Sequence, residues 1–145
     1  MNPREVVTLR VGEALLGIDT ACVADVFVPR GLTPTPMAAP DVLGVLNLRG
    51  RIVTALCLRR RLGLPPRPPG APTCRAVGVE VDGDGYGLVV DAVDSVMKLD
   101  DEDLLQPPGA LDPRWAEAVT GVARLETELL LIADVRRLVL PQAAA

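Results

Sequence analysis

Residues 42–62 read VLGVLNLRGRIVTALCLRRRL, and residues 119–139 read VTGVARLETELLLIADVRRLV. The two stretches align without a gap at an offset of 77 residues and share six identical positions. The identical pairs are Val42/Val119, Gly44/Gly121, Val45/Val122, Leu48/Leu125, Arg59/Arg136 and Arg60/Arg137. Each stretch contains a strand pair followed by a short helix, so the same local unit is predicted twice.

A second alignment precedes this one in both halves of the chain. Residues 7–26 overlie residues 77–96 at an offset of 70, again without a gap. A pattern that occurs twice predicts one small structural unit built twice. Two copies are too few for a solenoid, so two packed subdomains are expected.

The composition limits the core to aliphatic side chains. Of 145 residues, 49% are apolar, but Phe27, Tyr86 and Trp115 are the only aromatic ones. The formal net charge is −4. A nucleic-acid-binding protein would need a dominant basic face, usually with aromatic residues that stack on bases. We therefore expect no nucleic-acid partner.

Several kinds of reactive site are excluded or disfavoured by residue type. The absence of histidine excludes Ser–His and Cys–His catalysis and histidine-ligated metals. The three cysteines, Cys22, Cys57 and Cys74, form no C-x-x-C motif, so we expect no metal, no cofactor and no disulfide framework. Acid–base chemistry by carboxylates such as Asp91 and Asp94 stays open, which leaves a small carboxylate-dependent hydrolase as an alternative.

The location expected from these features is the cytoplasm. Unpaired cysteines are typical of a reducing compartment. No apolar run approaches the roughly 20 residues that span a bilayer, so direct membrane insertion is not expected.

Turn residues divide the chain into short strands. Arg49-Gly50 predicts a tight hairpin turn, with Gly50 supplying the positive φ that the turn requires. The proline-rich segment 65–72 predicts an extended linker between the two copies. Short strands of this kind close into small barrels, which leave fewer exposed edges. The run at residues 129–132, LLLI, predicts a strand covered on both faces.

The sequence resembles the CheW family of chemotaxis coupling proteins. The likeness lies in GVLNLRGRIV at residues 44–53, GLVVDAV at residues 87–93 and LIAD at residues 131–134. It implies an all-β fold with short helices, in which two interlocked five-stranded SH3-like β-barrels make one domain over residues 1–145. The first barrel is expected at about residues 14–64 and the second at about 75–133. A terminal strand and a C-terminal helix at 134–140 are expected to pack across them.

The resemblance also implies a function and partners. Family members are adaptors without enzymatic activity that connect chemoreceptor tips to the regulatory domain of the CheA histidine kinase, in membrane-associated receptor arrays. The receptor tip docks between the barrels, and Gly87 and Val93 are expected on the side of the second barrel. The positions implied for receptor binding are Val23, Asp25, Gly44, Arg49, Gly87 and Val93. Those implied for kinase binding are Ile52, Leu105 and Pro107. We further expect Asp25 and Arg49 to form a short ion pair.

The sequence departs from the family pattern in three places, one of which is Leu15-Leu16, where the usual aromatic residue of the second strand is missing. Phe27 replaces a polar or basic residue, and an exposed ring there would alter a contact surface. This favours, as an alternative, a pathway-specific or decoy protein that binds the kinase without receptors. Cys57 replaces an aspartate that Asp134 keeps in the second copy, and loss of that helix cap is expected to cost about 1 kcal/mol.

Overall fold

The computed structural model describes residues 4–71 and 73–140, so the last proline of the predicted linker, Pro72, lies outside the described residues. Within them the chain forms eleven strands and three short α-helices. The strands are β1 (Arg4–Val11), β2 (Ala14–Asp19), β3 (Val23–Phe27), β4 (Val42–Leu48), β5 (Arg51–Cys57), β6 (Arg75–Val81), β7 (Asp84–Val90), β8 (Ala92–Leu99), β9 (Leu104–Leu105), β10 (Val119–Arg124) and β11 (Leu129–Ala133). The helices are α1 (Leu58–Arg61), α2 (Pro113–Ala118) and α3 (Val135–Val139). No helix in the described ranges has the length and hydropathy that crossing a membrane requires.

The strands form two sheets that each draw on both halves of the chain. One sheet has the order β3-β6-β7-β5-β4, and the other has the order β8-β1-β2-β11-β10-β9. Sheet membership therefore differs from the contiguous ranges 14–64 and 75–133. The cause is an exchange of strands, since β3 pairs with β6 of the second half while β8 pairs with β1 of the first.

The internal repeat explains why the two sheets have the same order. The offset of 70 carries β1, β2 and β3 onto β6, β7 and β8, and the offset of 77 carries β4, β5 and α1 onto β10, β11 and α3. Both sheets thus contain five equivalent strands, and β9 adds a sixth to one of them. Even the irregularities match, because the register shift at Val42/Gly44 recurs at Val119/Gly121. The predicted all-β fold of two small barrels is confirmed.

An aliphatic core joins the barrels. The main buried cluster lies between the sheets and includes Leu58 of α1 and Leu138 of α3, both fully buried. Each sheet also has a smaller apolar cluster of its own. Burial of this apolar surface is the main stabilising contribution, and it holds the two barrels against each other.

One segment forms elements that were not predicted, and one local prediction is only partly met. The polar, proline-rich segment before β10 contains both β9 and α2. Helix α2 begins at Asp112, whose side chain accepts a hydrogen bond from the Arg114 N–H, with Pro113 in the first helical position. In β11, Leu130 and Ile132 are buried as expected, but Leu129 is 44% exposed because it lies at the open end of the strand.

Candidate interaction surfaces

The turn between β4 and β5 positions the most prominent charged side chain of the predicted receptor site. Leu48 pairs with Arg51, which leaves Arg49 and Gly50 as a two-residue loop. Their φ values of 53° and 84° are both positive, as a type I′ turn requires. Asn47 Oδ1 accepts the Gly50 N–H at 2.8 Å and fixes the turn. Arg49 is therefore held at the tip of a rigid hairpin, which confirms the predicted role of Gly50.

The predicted ion pair between Asp25 and Arg49 is present. Arg49 Nη1 lies 2.9 Å from Asp25 Oδ2, and Asp25 Oδ1 accepts the Val26 N–H at 2.8 Å. Asp25 is on β3 and Arg49 follows β4, and these strands are the two edges of the five-stranded sheet. The contact therefore joins the edges and shows that the sheet curls into a barrel. The Arg49 side chain is 79% exposed, whereas that of Asp25 is 21% exposed.

A row of small residues crosses the same sheet beneath this pair. Asp25 pairs with Gly78, Gly78 with Gly87, Gly87 with Ala55, and Ala55 with Gly44. Gly87 therefore lies in the same sheet as Asp25, and the expectation that it belongs to the second barrel is wrong. The strand exchange is the reason, because β7 joins the first barrel. A pocket of about 70 Å³ opens at this end of the barrel beside Asp25.

Gly44 and Gly87 are both buried, and each has a packing role in the structure. A Cβ on Gly44 would collide with the carbonyl oxygen of Thr33, and its φ of 146° disfavours other residues. A Cβ on Gly87 would lie 3.1 Å from Cζ of Phe27. The two glycines make room for neighbouring groups and present no side chain of their own.

Phe27 is packed against the first barrel's own apolar cluster, so the expected exposed ring is not found. The residue is half-buried, and its ring lies over Gly87 and Gly78. The space that these glycines leave is what accommodates a large ring at an edge strand. The exposed ring at Phe27, one of the features that favoured a decoy function, is therefore absent, and the unusual loops are the remaining feature that favours it.

The two valines predicted to bind the receptor lie in a different environment from the ion pair of Asp25 and Arg49. Val23 and Val93 are equivalent under the offset of 70, on β3 and β8. Both are partly buried against the cluster between the barrels. They border the contact between the sheets, whereas Asp25 and Arg49 lie at the end of the first barrel.

The residues predicted for kinase binding expose apolar surface on both barrels. Ile52 on β5 is 64% exposed, and Leu105 on β9 is 53% exposed. Pro107 is half-buried and follows β9. The repeat could have pointed to three more exposed apolar residues that were not predicted. Leu129 is equivalent to Ile52, and Val26 is equivalent to Val96.

The carboxylate considered for catalysis is tied into a structural ion pair. Asp91 accepts hydrogen bonds from Arg59 Nε at 2.9 Å, Arg59 Nη2 at 2.7 Å and the Gly12 N–H at 2.7 Å. These contacts, above all the one with Arg59, lower the pKa of Asp91, with a smaller effect from Arg67. A carboxylate held ionised in this way is a poor general acid. Its contacts instead anchor the hairpin that follows β1 to α1.

The two equivalent helices differ at their caps as predicted. The Asp134 side chain accepts a hydrogen bond from the Arg137 N–H at 3.1 Å at the start of α3. Cys57 occupies the same position before α1 and makes no side-chain cap.

These features together define a class of protein. Two interlocked small barrels present charged and apolar surfaces, and Asp91, one of the two carboxylates considered for catalysis, is bonded to Arg59 and Gly12. Among the described residues, no group of three or more cysteines and carboxylates is placed to hold a metal ion. The surfaces are those of a scaffold that binds other proteins.

The comparison with known proteins gives the family: the chain belongs to the CheW-like family, whose domain description matches residues 5–141. It is 28% identical to a chemotaxis protein CheW of Treponema pallidum over 92% of this chain and 81% of that protein. It is 32% identical to protein FrzA of Myxococcus xanthus over 83% of this chain and 74% of that one.

A solved structure supports the same assignment. The scaffolding protein TtCheW of Thermoanaerobacter tengcongensis superposes with a TM-score of 0.82 at 29% identity, covering 94% of this chain and 92% of the other. These names describe chemotaxis and scaffolding proteins, and none of them describes an enzyme.

Proposed function

We propose that this chain is a non-enzymatic chemotaxis adaptor that holds a chemoreceptor tip and the regulatory domain of a CheA-type histidine kinase together. The observation that carries the proposal is that one chain presents an exposed ion pair together with exposed apolar side chains on both sheets. The Asp25–Arg49 pair marks one end of the first barrel, while Ile52 and Leu105 expose apolar side chains on different sheets. Family membership supplies the context of chemotaxis.

The physical effect of such an adaptor is to raise the effective concentration of each partner near the other. It transmits a signal only if its contacts favour one state of the kinase over another, because equal affinity for both states shifts neither. The protein would act in the cytoplasm, at receptor arrays. The receptor contact would involve Val23, Asp25, Arg49 and Val93, with Gly44 and Gly87 shaping the backbone around them. The kinase contact would involve Ile52, Leu105 and Pro107.

Two substitutions separate the contacts. Arg49→Ala should weaken binding to a purified receptor signalling fragment by at least about tenfold, a loss typical of a central interface residue. Its affinity for the kinase regulatory domain should stay within about twofold. Ile52→Arg should produce the opposite pattern, because a charge would replace an exposed apolar side chain. Isothermal titration calorimetry with each partner measures both affinities.

Matched controls exclude unspecific effects. Arg124 is an exposed arginine on the six-stranded sheet, and Met37 is a fully exposed apolar residue in a loop. Arg124→Ala and Met37→Arg should leave both affinities unchanged. Arg49→Ala should also preserve stability within about 1 kcal/mol, because exposed ion pairs contribute little. Unchanged receptor binding in folded Arg49→Ala would contradict the receptor assignment, and unchanged kinase binding in Ile52→Arg would contradict the kinase assignment.

A further inference from the structure

A groove of about 590 Å³ lies beside the contact between the barrels, and none of the residues assigned above to the receptor or the kinase lines it. Its walls come from the turn between β6 and β7, from the short helical turn before β3 and from the start of α3. Asp82, Cys22 and Arg136 represent these three elements. We call it the open groove. The residues Asp25, Arg49 and Ile52 are not part of the lining of the open groove.

The repeat relates the open groove to a second position on the other side of the molecule. Under the two offsets Asp82 corresponds to Gly12, and Arg136 corresponds to Arg59. There the linker covers the surface. Leu64 Cδ1 lies 3.2 Å from where a Cβ on Gly12 would stand, and Arg59 Nη1 donates to the Pro65 carbonyl oxygen at 2.8 Å. We call this position the covered groove.

An arginine completes the cover. Arg67 Nε lies 3.5 Å from Asp91 Oδ1, next to the bonds that Arg59 makes with the same carboxylate. The covering segment, residues 64–67, therefore combines an apolar side chain, two prolines and one arginine. The segment reduces the solvent exposure of the arginine beneath it. The Arg59 side chain in the covered groove is 14% exposed, whereas the equivalent Arg136 side chain in the open groove is 61% exposed.

The open groove has a charge that suits a similar segment. Arg136 is bonded to Asp82 at 2.6 Å, and Arg4 lies 3.7 Å from Asp101, so the two arginines at this groove already have acidic partners. Carboxylates outnumber arginines in the lining by four to two, namely Asp19, Glu80, Asp82 and Asp134 against Arg4 and Arg136. Two of these carboxylates already have arginine partners, Asp82 with Arg136 and Glu80 with Arg51 at 3.4 Å. The negative charge that favours a basic ligand is therefore that of Asp19 and Asp134.

The carboxylates of the open groove also affect the thiol of Cys22, which lines it. Burial raises the pKa of the Cys22 thiol first, and the carboxylates of Asp19 and Asp134 raise it further. In the covered groove the equivalent region holds Asp91, which pairs with an arginine of the linker. The carboxylates of the two grooves stand at different positions of the repeat, since Asp91 corresponds to Ala21. Each groove nevertheless has a carboxylate in the region next to Cys22 or its equivalent, Ala92.

We propose that the open groove binds an extended segment of a partner protein that carries an arginine flanked by prolines or other apolar residues, as residues 64–67 do in the covered groove. The apolar part of the segment packs beside Val81, and the guanidinium lies near Asp19 and Asp134. This is a third interaction surface, and it does not depend on the receptor and kinase contacts proposed above.

The chain's own linker provides the probe. A synthetic peptide with the sequence of residues 62–71, LGLPPRPPGA, is titrated into the 15N-labelled chain and followed by two-dimensional NMR. The amide signals of Cys22, Asp82 and Arg136 should shift and saturate. The covered groove should not respond, because the tethered linker competes at a far higher effective concentration.

Charge variants give the test its specificity. A peptide with glutamate in place of the arginine should bind at least about fivefold more weakly, as loss of an ion pair predicts. Asp19→Asn and Asp134→Asn each keep a capping side chain but remove its charge, and together they should weaken binding by a similar factor. Glu126→Gln, an exposed carboxylate change on the β10–β11 loop, is the matched control and should have no effect.

The proposal is overturned by shifts confined to Gly12, Arg59 and Asp91, by shifts that do not saturate, or by equal binding of the arginine and glutamate peptides. Because neither receptor nor kinase is present in the experiment, its result is separate from that of the adaptor tests.

Discussion

Cys57→Asp should stabilise the protein by completing a helix cap that the repeat makes in its second copy. Cys57 has φ −86° and ψ 111°, and the equivalent Asp134 has φ −88° and ψ 121°, so the backbone before α1 already has the capping conformation. The Asp134 side chain satisfies the Arg137 N–H at 3.1 Å. A carboxylate at position 57 would reach the equivalent N–H of Arg60. Such a cap contributes about 1 kcal/mol.

The expected change is measurable by urea denaturation. A gain of about 1 kcal/mol corresponds to about 0.5 M in the urea midpoint for an m value of about 2 kcal/mol/M. In a thermal scan it corresponds to about 2–4 °C in Tm for a chain of this size. Circular dichroism follows the sheets, and fluorescence of Trp115 reports on the end of α1, because its indole N–H donates to the Leu62 carbonyl oxygen at 3.0 Å.

Three controls decide whether the cap is the cause. Cys57→Ala should lie within about 0.5 kcal/mol of the parent, since the cysteine makes no cap. Cys57→Asn should recover most of the gain without a charge, and Asp134→Ala should lose about 1 kcal/mol. Equal stability of Cys57→Asp and Cys57→Ala, together with a clear loss in Asp134→Ala, would refute the reasoning that equivalent positions in the repeat have equivalent energetics.

Two further predictions concern the interior contacts. Asp91→Asn should lower stability at pH 7 by about 1–3 kcal/mol, because it weakens a pair that Arg59 makes through two nitrogens. The pKa of Asp91 is below its ordinary 3.8 in the folded protein, so the contribution is complete above that pH and disappears as the pH falls through the folded-state pKa. The denaturation midpoints of parent and variant should therefore converge in acid, and a constant difference from pH 7 to pH 2 would contradict the pairing. Gly87→Ala should cost about 1–3 kcal/mol through the 3.1 Å approach to Phe27. Phe27→Leu should relieve part of that cost in a double-mutant cycle, and strictly additive effects would show that the ring is not the obstacle.

The sequence predicted those features that depend on neighbours along the chain. The turn at Arg49-Gly50, the cap at Asp134 and the missing cap at Cys57 each follow from a residue type at a defined local position. The Asp25–Arg49 pair was also predicted, although it joins opposite edges of a sheet, because the family resemblance supplied both positions. Local residue types and the family resemblance were thus sufficient to predict the Asp25–Arg49 ion pair and the turn that positions it.

The features that were missed depend on which strands are neighbours. Periodicity shows which face of a strand is buried and does not identify the partner strand. Local patterns therefore could not predict that β3 and β8 are exchanged between the halves. They also could not predict in which sheet Gly87 lies. The burial of Phe27 is a further consequence, since the glycine that accommodates its ring lies on β7. Helix α2 had a local signal in Asp112-Pro113, which the surrounding prolines obscured.

The comparison of equivalent surface positions shows how one fold provides different contacts. Gly44 and Gly121 are identical in the two copies, and the register shift between β4 and β5 recurs between β10 and β11. Arg49 corresponds to Glu126, and Asp25 corresponds to Ser95, so an ion pair of this kind can form only on the first barrel. The framework is thus repeated while the surface charges diverge. Because the strand exchange makes each barrel depend on the other, these unlike surfaces keep a fixed relative position, which a scaffold needs if it is to bring two partners together in one geometry.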